Sequence, residues 1–166
     1  KAALLGYEFF WNDFCAYYLE LCKPFVFAKE ASALKANKQK ILIIVLDHIL
    51  RLLHPIAPFI TEELFALLKG LAPDKTAGKK IDPYSQRTLA ALRAPACIVA
   101  PYPAVILEED INPAAESDFH FMQKIIQGIR NIRTEMQIPP GQATEVIIHT
   151  ADEKAAKLLQ TNQGII

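Results

Sequence analysis

The stretch Ile41–Leu68, ILIIVLDHILRLLHPIAPFITEELFALL, decides the fold of this chain. Its apolar run is interrupted at Pro55 and Pro58 and restarts at Thr61, which predicts two helices that meet at a proline corner. From Ile41 to Leu53 nearly every position is apolar, and a solvent-facing helix would not tolerate this. We therefore expect the first helix to lie in the core, with other elements packed around it.

Four of the polar residues in and beside this core helix are Lys40, Asp47, Arg51 and His54. Their spacing of seven, four and three residues places them on one narrow side. Asp47 and Arg51 are four apart and should pair. His54 precedes a proline and could cap the helix end with its ring, a structural role that we weigh above a catalytic one because no nucleophile and orienting carboxylate lie nearby in a recognisable order.

The composition is that of a globular chain with no net charge. Of its 166 residues 52% are hydrophobic, enough to bury a core, and eighteen Lys and Arg balance eighteen Asp and Glu. Net charge therefore does not attract polyanions, and any contact with nucleic acid must come from a local patch. The proline and the charges in and beside the only long apolar run exclude a membrane span.

The three cysteines indicate a reducing compartment. Cys15 and Cys22 are seven residues apart on a predicted helix, about 10 Å along its axis, which is too far for a disulfide. Cys97 has no companion at metal-ligand spacing. Together with the absence of a signal-like start, this pattern predicts free thiols inside the cell.

Residues 1–23 have aromatic side chains at helical spacing, and Pro24 should end this helix. The aromatic face is explained by core packing, although a ring at its rim could stack on a nucleobase. Residues 25–40 then form a connector and a helix start that contains four lysines. This charge run is either a solvated face or a set of phosphate contacts. The aromatic residues and leucine of the first face are Tyr7, Phe10, Trp11, Phe14, Tyr18 and Leu21.

Thr61 suits the N-cap of the helix after the corner, which should end at Gly70. Residues 71–92 are rich in Lys, Gly, Pro and Asp, which is typical of a long surface segment, with a short helix near 86–92. Residues 101–103, Pro-Tyr-Pro, should be extended along the helices. Residues 105–111 read as a linker, so we place the domain boundary there.

The part after the linker restarts with Asn112 as an N-cap before Pro113, followed by an apolar stripe to residue 137. The β-branched residues of 144–149 predict a strand. Thr150 and Glu153 have the spacing of a capping box, which predicts a helix over 152–160. An unpaired strand at 164–166 would complete a truncated α/β subdomain whose partner strands lie outside this sequence.

Three ordered blocks resemble class I valyl-tRNA synthetases: WNDFCAYYLE at 11–20, LRLLHPIAPFITEEL at 50–64 and IRNIRTEMQIPPG at 129–141, with APYP at 100–103 between them. Isoleucyl- and leucyl-tRNA synthetases carry related versions of the proline corner, and the 11–20 block and Phe59 favour valine. Ala16 stands where the family pattern has an acidic residue, and Tyr17 and Phe65 stand where it has tryptophan.

The resemblance implies a mainly α fold: a helical anticodon-binding bundle at residues 1–105, followed at 106–166 by the start of a small α/β subdomain of helix, strand and helix. The implied partners are the anticodon stem-loop of tRNA(Val) and the catalytic and editing domains of the same polypeptide. ATP and Mg²⁺ are expected for the full cytoplasmic enzyme and not for this chain. The family's His-x-Gly-His and Lys-Met-Ser-Lys-Ser signatures are absent from the sequence, so we expect no catalytic site here.

An RNA-loop binder needs cations for phosphates and flat or hydrogen-bonding side chains for bases. A rival interpretation is a helical protein-interaction module, in which the aromatic face and the proline corner would bind a partner helix. The candidates for phosphate contact are Lys23, Lys35, Lys38, Arg130 and Arg133, and those for base contact are Trp11, Asn12 and Arg51.

Overall fold

The computed structural model describes residues 1–71, 81–139 and 141–163. The chain divides into two compact units, Lys1–Ile106 and Leu107–Ile166. Within the described residues, no helix has both the length and the apolar character needed to cross a bilayer.

The first unit begins with a continuous helical rod made of α1 (Ala2–Glu8), a π-helical stretch (Phe9–Leu19) and α2 (Glu20–Val26). Pro24 lies inside α2, so the prediction that it ends the helix is wrong; the helix ends two residues later, within one turn of the proline. In the π-helical stretch the hydrogen bonds span five residues instead of four, so the side chains do not follow α-helical spacing. This geometry explains why the predicted aromatic face is divided between core and surface.

The central helix of the first unit is α3 (Ala33–Leu53), which Ser32 caps by accepting a hydrogen bond from the Lys35 N–H at 3.0 Å. It contacts α1, α2, α4 and α5, so the prediction of a core helix is confirmed. The buried core cluster consists of Leu50, Phe65, Leu68, Leu92 and Cys97.

The proline corner leads into α4 (Pro58–Leu71). The helix begins at Pro58, so Thr61 is a buried residue of its first turn and not its N-cap, and Gly70 lies within the helix rather than at its end. Thr61 donates a hydrogen bond to the Ala57 carbonyl at 2.8 Å. The two predicted helices and their corner are therefore present, with the second helix beginning four residues earlier than its capping pattern indicated, at Pro58 instead of after Thr61.

Residues 72–80 of the predicted surface segment lie outside the described residues. The short helix that follows is α5 (Pro83–Leu92), which Asp82 caps by accepting from the Ser85 N–H at 2.9 Å. A 3₁₀ turn at Cys97–Val99 then leads into an irregular segment that includes Pro101. This return segment packs against α3 and α4 and completes the first unit.

The second unit contains a 3₁₀ turn (Glu108–Asp110), α6 (Pro113–Glu135) and α7 (Glu153–Thr161). Asn112 caps α6 as predicted, accepting from the N–H groups of Ala114 and Ala115 at 3.1 Å each. At the other end of α6, Gln137 has φ 53°. Its N–H donates to the Thr134 carbonyl, and the N–H of the next residue donates to the Arg133 carbonyl. This is a Schellman motif with glutamine in the left-handed position that glycine usually takes.

The prediction of a strand at 144–149 is wrong: this segment has no regular secondary structure and no ladder partner among the described residues. β-branched residues favour an extended chain, but a strand also needs a neighbour to pair with. The second unit is therefore helical where it is regular. The N-cap of α7 is Asp152, not Thr150, and residues 164–166 lie outside the described part of the chain.

Candidate nucleic-acid interface

The turn between α2 and α3, together with the helix ends beside it, carries most of the basic side chains predicted to contact RNA. We define the basic tip as Phe27 together with the lysines of this turn and its flanking helices: Lys23, Lys29, Lys35 and Lys38. Glu20 and Glu30 are the acidic residues beside it, so four positive charges stand against two negative ones. This local excess is the kind of patch that a chain of zero net charge needs for binding a polyanion.

Three of these lysines are oriented by contacts within the unit. Lys23 pairs with Glu20 at 2.6 Å, and both side chains are about half exposed. Lys35 Nζ donates to the Ala28 carbonyl at 2.6 Å, and Lys38 Nζ lies 5.7 Å from the centroid of the Tyr18 ring. An ammonium group has three donors, so each of these contacts leaves donors available for a phosphate.

Sequence reasoning missed Phe27. It is 77% exposed, at the end of α2 in the middle of the basic tip. A sequence signal for it exists: Phe27 is an aromatic residue between two segments that contain lysines, and it does not belong to the apolar face of a predicted helix.

Trp11 and Asn12 are both exposed on the π-helical stretch. The Trp11 ring is 57% exposed and stacks almost parallel to Tyr7, with a centroid separation of 6.4 Å and an interplanar angle of 4°. Phe14, from the same predicted face, is buried. The structure thus leaves the Trp11 ring accessible, which base stacking requires.

Arg51 faces the interior and is 5% exposed. Its guanidinium donates to the Asp47 carboxylate through Nε and Nη2 and to the Pro101 carbonyl through Nη1 at 2.5 Å. Burial raises the pKa of Asp47, and the charge and hydrogen bonds of Arg51 oppose that rise. The predicted Asp47–Arg51 pair is present, and it ties α3 to the return segment rather than offering a cation to a base.

Arg130 and Arg133 lie on α6 in the second unit. Arg133 donates to Thr144 Oγ1 at 2.6 Å and to the carbonyls of Pro139 and Gln142 at 3.0 and 2.8 Å. These bonds fix the loop after α6. Arg130 is exposed and takes part in an interaction within the chain.

At the proline corner, His54, Thr61 and Glu62 form a second polar cluster. The Thr61 hydroxyl gives its single proton to a backbone carbonyl, so the ring Nδ1 of His54 is the donor in their 2.8 Å contact. Nε2 is buried without a hydrogen-bond partner among the described residues and lies 3.9 Å from Glu62 Oε2. Glu62 also accepts from the N–H groups of Cys97 and Ile98, at 2.7 and 3.3 Å. His54 is therefore a structural residue.

Burial and the neighbouring charges of Glu62 and Asp47 raise the pKa of Cys97 to about 11, against the opposing charge of Arg51. The thiol thus stays protonated at neutral pH, which makes it a poor nucleophile. Among the described residues, no group of three His, Cys, Asp or Glu side chains could hold a metal ion.

The two units differ in charge. Residues 1–106 contain 13 Lys and Arg against 9 Asp and Glu, a net charge of +4, and residues 107–166 contain 5 against 9, a net charge of −4. The zero net charge of the chain therefore hides a basic first unit. A polyanion should bind the first unit in preference to the second.

Comparison with known proteins finds relatives of this chain among the tRNA ligases. Relatives described as valine–tRNA ligase include those of Protochlamydia amoebophila, 49% identical over 155 residues, Chlamydia caviae, 40% over 149, and Chlamydia trachomatis serovar L2, 39% over 155. These alignments cover 92%, 89% and 93% of this chain, which spans 16% of the length of each relative.

The family model described as the anticodon-binding domain of tRNA ligase matches residues 1–148. The match covers the whole first unit and continues past the end of α6. The chain belongs to the anticodon-binding domain family of tRNA ligases.

Proposed function

We propose that this chain is the anticodon-binding domain of a valine–tRNA ligase and that it binds the anticodon stem-loop of tRNA(Val). The observation that carries this proposal is the family match over residues 1–148, together with the 49% identity to a valine–tRNA ligase. The lysines of the basic tip support it, because they give a chain of zero net charge a local place to bind phosphates.

In this proposal the basic tip contacts the loop, with Lys23, Lys35 and Lys38 on phosphates and Trp11 and Asn12 available for bases. We leave Arg51 out of the contact set because its guanidinium is buried and occupied. Arg133 positions the loop after α6 in the second unit. Arg130 stays a candidate for phosphate contact.

The work of this domain is to position tRNA rather than to catalyse. We infer that aminoacylation, with its ATP and Mg²⁺, and editing take place in other domains of a longer polypeptide, since the relatives are about six times longer than the matched segment. In that arrangement, gripping the anticodon loop orients the acceptor end toward a distant active site. We place the enzyme in the cytoplasm, where the three free thiols would remain reduced.

A titration of the chain with a valine anticodon stem-loop tests this function. The controls are a stem-loop with a scrambled anticodon and the stem-loops of tRNA(Ile) and tRNA(Leu). We expect weak binding that prefers the valine anticodon and falls with salt, with a slope of at most about −3 if each of four lysines contributes about −0.7. Equal, salt-insensitive signals from all four RNAs would contradict the proposal, and preference for another anticodon would reassign the amino acid.

A further inference from the structure

Phe27 has a ring open to solvent and a backbone that is held by hydrogen bonds. The Phe27 N–H donates to the Lys23 carbonyl at 3.0 Å, and the N–H of Ala28 donates to the Phe25 carbonyl at 3.4 Å. Lys35 Nζ reaches the Ala28 carbonyl from the start of α3. The turn is thus held from both flanking helices while the side chain stays 77% exposed.

The surroundings of Phe27 favour a negatively charged ligand with flat groups. Lysines lie on both sides of it in sequence, at positions 23 and 29, and the Lys35 ammonium donates to the carbonyl of the next residue, Ala28. An aromatic ring flanked by cations is the arrangement that binds single-stranded nucleic acid, because each base has a face for stacking and a phosphate for the cations. An ordered turn also lowers the entropy cost of binding.

We propose that Phe27 is a base-stacking residue, on which one unpaired nucleobase of the bound RNA loop stacks while the neighbouring lysines contact the flanking phosphates. This inference rests on the proposed function and adds to it a residue that composition and spacing did not indicate. It assigns to the basic tip a contact with a base as well as contacts with the backbone.

Phe59 offers a matched control. It is 91% exposed and belongs to the first turn of α4, beyond the opposite end of α3. Its neighbours in a shallow cleft of about 350 Å³ include Glu62 and Glu63, whose carboxylates repel phosphate. Phe59 therefore has the exposure of Phe27 without the cations.

The test compares Phe27→Leu, Phe27→Trp and Phe59→Leu by stem-loop titration at several salt concentrations. We expect Phe27→Leu to weaken binding about tenfold with an unchanged salt slope, because stacking is lost and no phosphate contact is. Phe27→Trp should restore the affinity, and Phe59→Leu should leave it unchanged. Circular dichroism and thermal midpoints check that all three variants fold.

A second readout replaces each loop base in turn by 2-aminopurine, whose fluorescence falls on stacking. One position should be quenched by the unmodified chain and not by Phe27→Leu. Equal affinity and quenching for the unmodified chain and Phe27→Leu would overturn the inference while leaving the proposed function intact. An equal loss in Phe59→Leu would also overturn it. If the unmodified chain binds none of the RNAs, both the inference and the proposed function are contradicted.

Discussion

The two ends of α3 use the same kinds of residue in opposite ways. At its start Phe27, Lys23 and Lys29 are exposed, and Lys35 and Lys38 are half-buried with one contact each. Toward its other end Asp47, Arg51 and His54 are buried: Arg51 bonds Asp47 and the Pro101 carbonyl, and His54 bonds Thr61 of α4. Burial, not residue type, thus separates a cation that can meet a ligand from one that holds the fold together.

This difference has an energetic origin. A buried charge must be fully paired, because its desolvation otherwise costs several kcal/mol, and so Arg51 and Asp47 are locked together. An exposed lysine loses little when its partner is removed, which leaves it able to exchange that partner for a phosphate. Changes near the proline corner should therefore alter stability, and changes at the basic tip should alter binding.

The largest effect is expected at the buried pair. Arg51→Met leaves the Asp47 carboxylate buried without its guanidinium, which should cost about 3–5 kcal/mol of unfolding free energy. The double variant Arg51→Met with Asp47→Leu should lose much less, because an apolar pair needs no compensation. Urea denaturation measures both. A single variant as stable as the unmodified chain would show that the pair is not structural.

A smaller loss is expected at the corner from Thr61→Val. Valine has a similar shape but removes the acceptor of the His54 Nδ1 proton, which should cost about 1–3 kcal/mol. The matched control is Thr150→Val in the second unit, on an exposed segment. Urea denaturation measures the unfolding free energy of both variants. Equal values for Thr61→Val and Thr150→Val would argue against the described bond to His54.

At the basic tip, Lys35→Gln and Lys38→Gln should each reduce the salt slope of RNA binding by about 0.7, roughly a fivefold loss of affinity at 0.1 M salt. Their effect on stability should be within about 0.5 kcal/mol, because both side chains are only half-buried and neither belongs to the core cluster. Lys69→Gln on α4 serves as the control, since it removes a lysine outside the basic tip. If the salt slope of RNA binding is the same in the Lys35 and Lys38 variants as in the unmodified chain, these lysines do not contact phosphate.

The smallest effect is expected at the exposed ion pair of Lys40 with Asp82, 3.0 Å apart. Burial alone would raise the pKa of Asp82, but the Ser85 N–H and hydroxyl and Lys40 lower it to about 2, below its ordinary 3.8. Asp82 therefore contributes stability above pH 3.8 that is lost as the pH falls through about 2. Thermal midpoints of the unmodified chain and Asp82→Asn should converge over this range. A constant difference would show that the carboxylate is not the cause.

Much of this architecture could be predicted from the sequence because local signals agree with it. The apolar run and prolines predicted α3, the corner and α4, and Asn112 before Pro113 predicted the start of α6. The spacing of Asp47 and Arg51 predicted their pairing. In each case the deciding interactions lie within a few residues of one another in sequence.

The remainder depends on contacts that spacing does not contain. α3 is surrounded by other helices, so spacing alone could not tell that the polar side carrying Arg51 faces inward. Trp11 lies on a π-helical stretch, so it does not share a face with the core aromatic residues as α-helical spacing predicted. Residues 144–149 have no pairing partner among the described residues. Phe27 was not predicted because the sequence shows only its position between lysine-bearing segments, whereas its exposure follows from the packed structure.

The most direct test of the central claim is to map amide chemical-shift changes while the valine anticodon stem-loop is added to the chain. The account predicts that the changes concentrate at residues 23–38, around the basic tip, extend to Trp11 and Asn12, and are absent from residues 54–63 at the proline corner. Changes that concentrate at the corner, or in the acidic second unit, would contradict it.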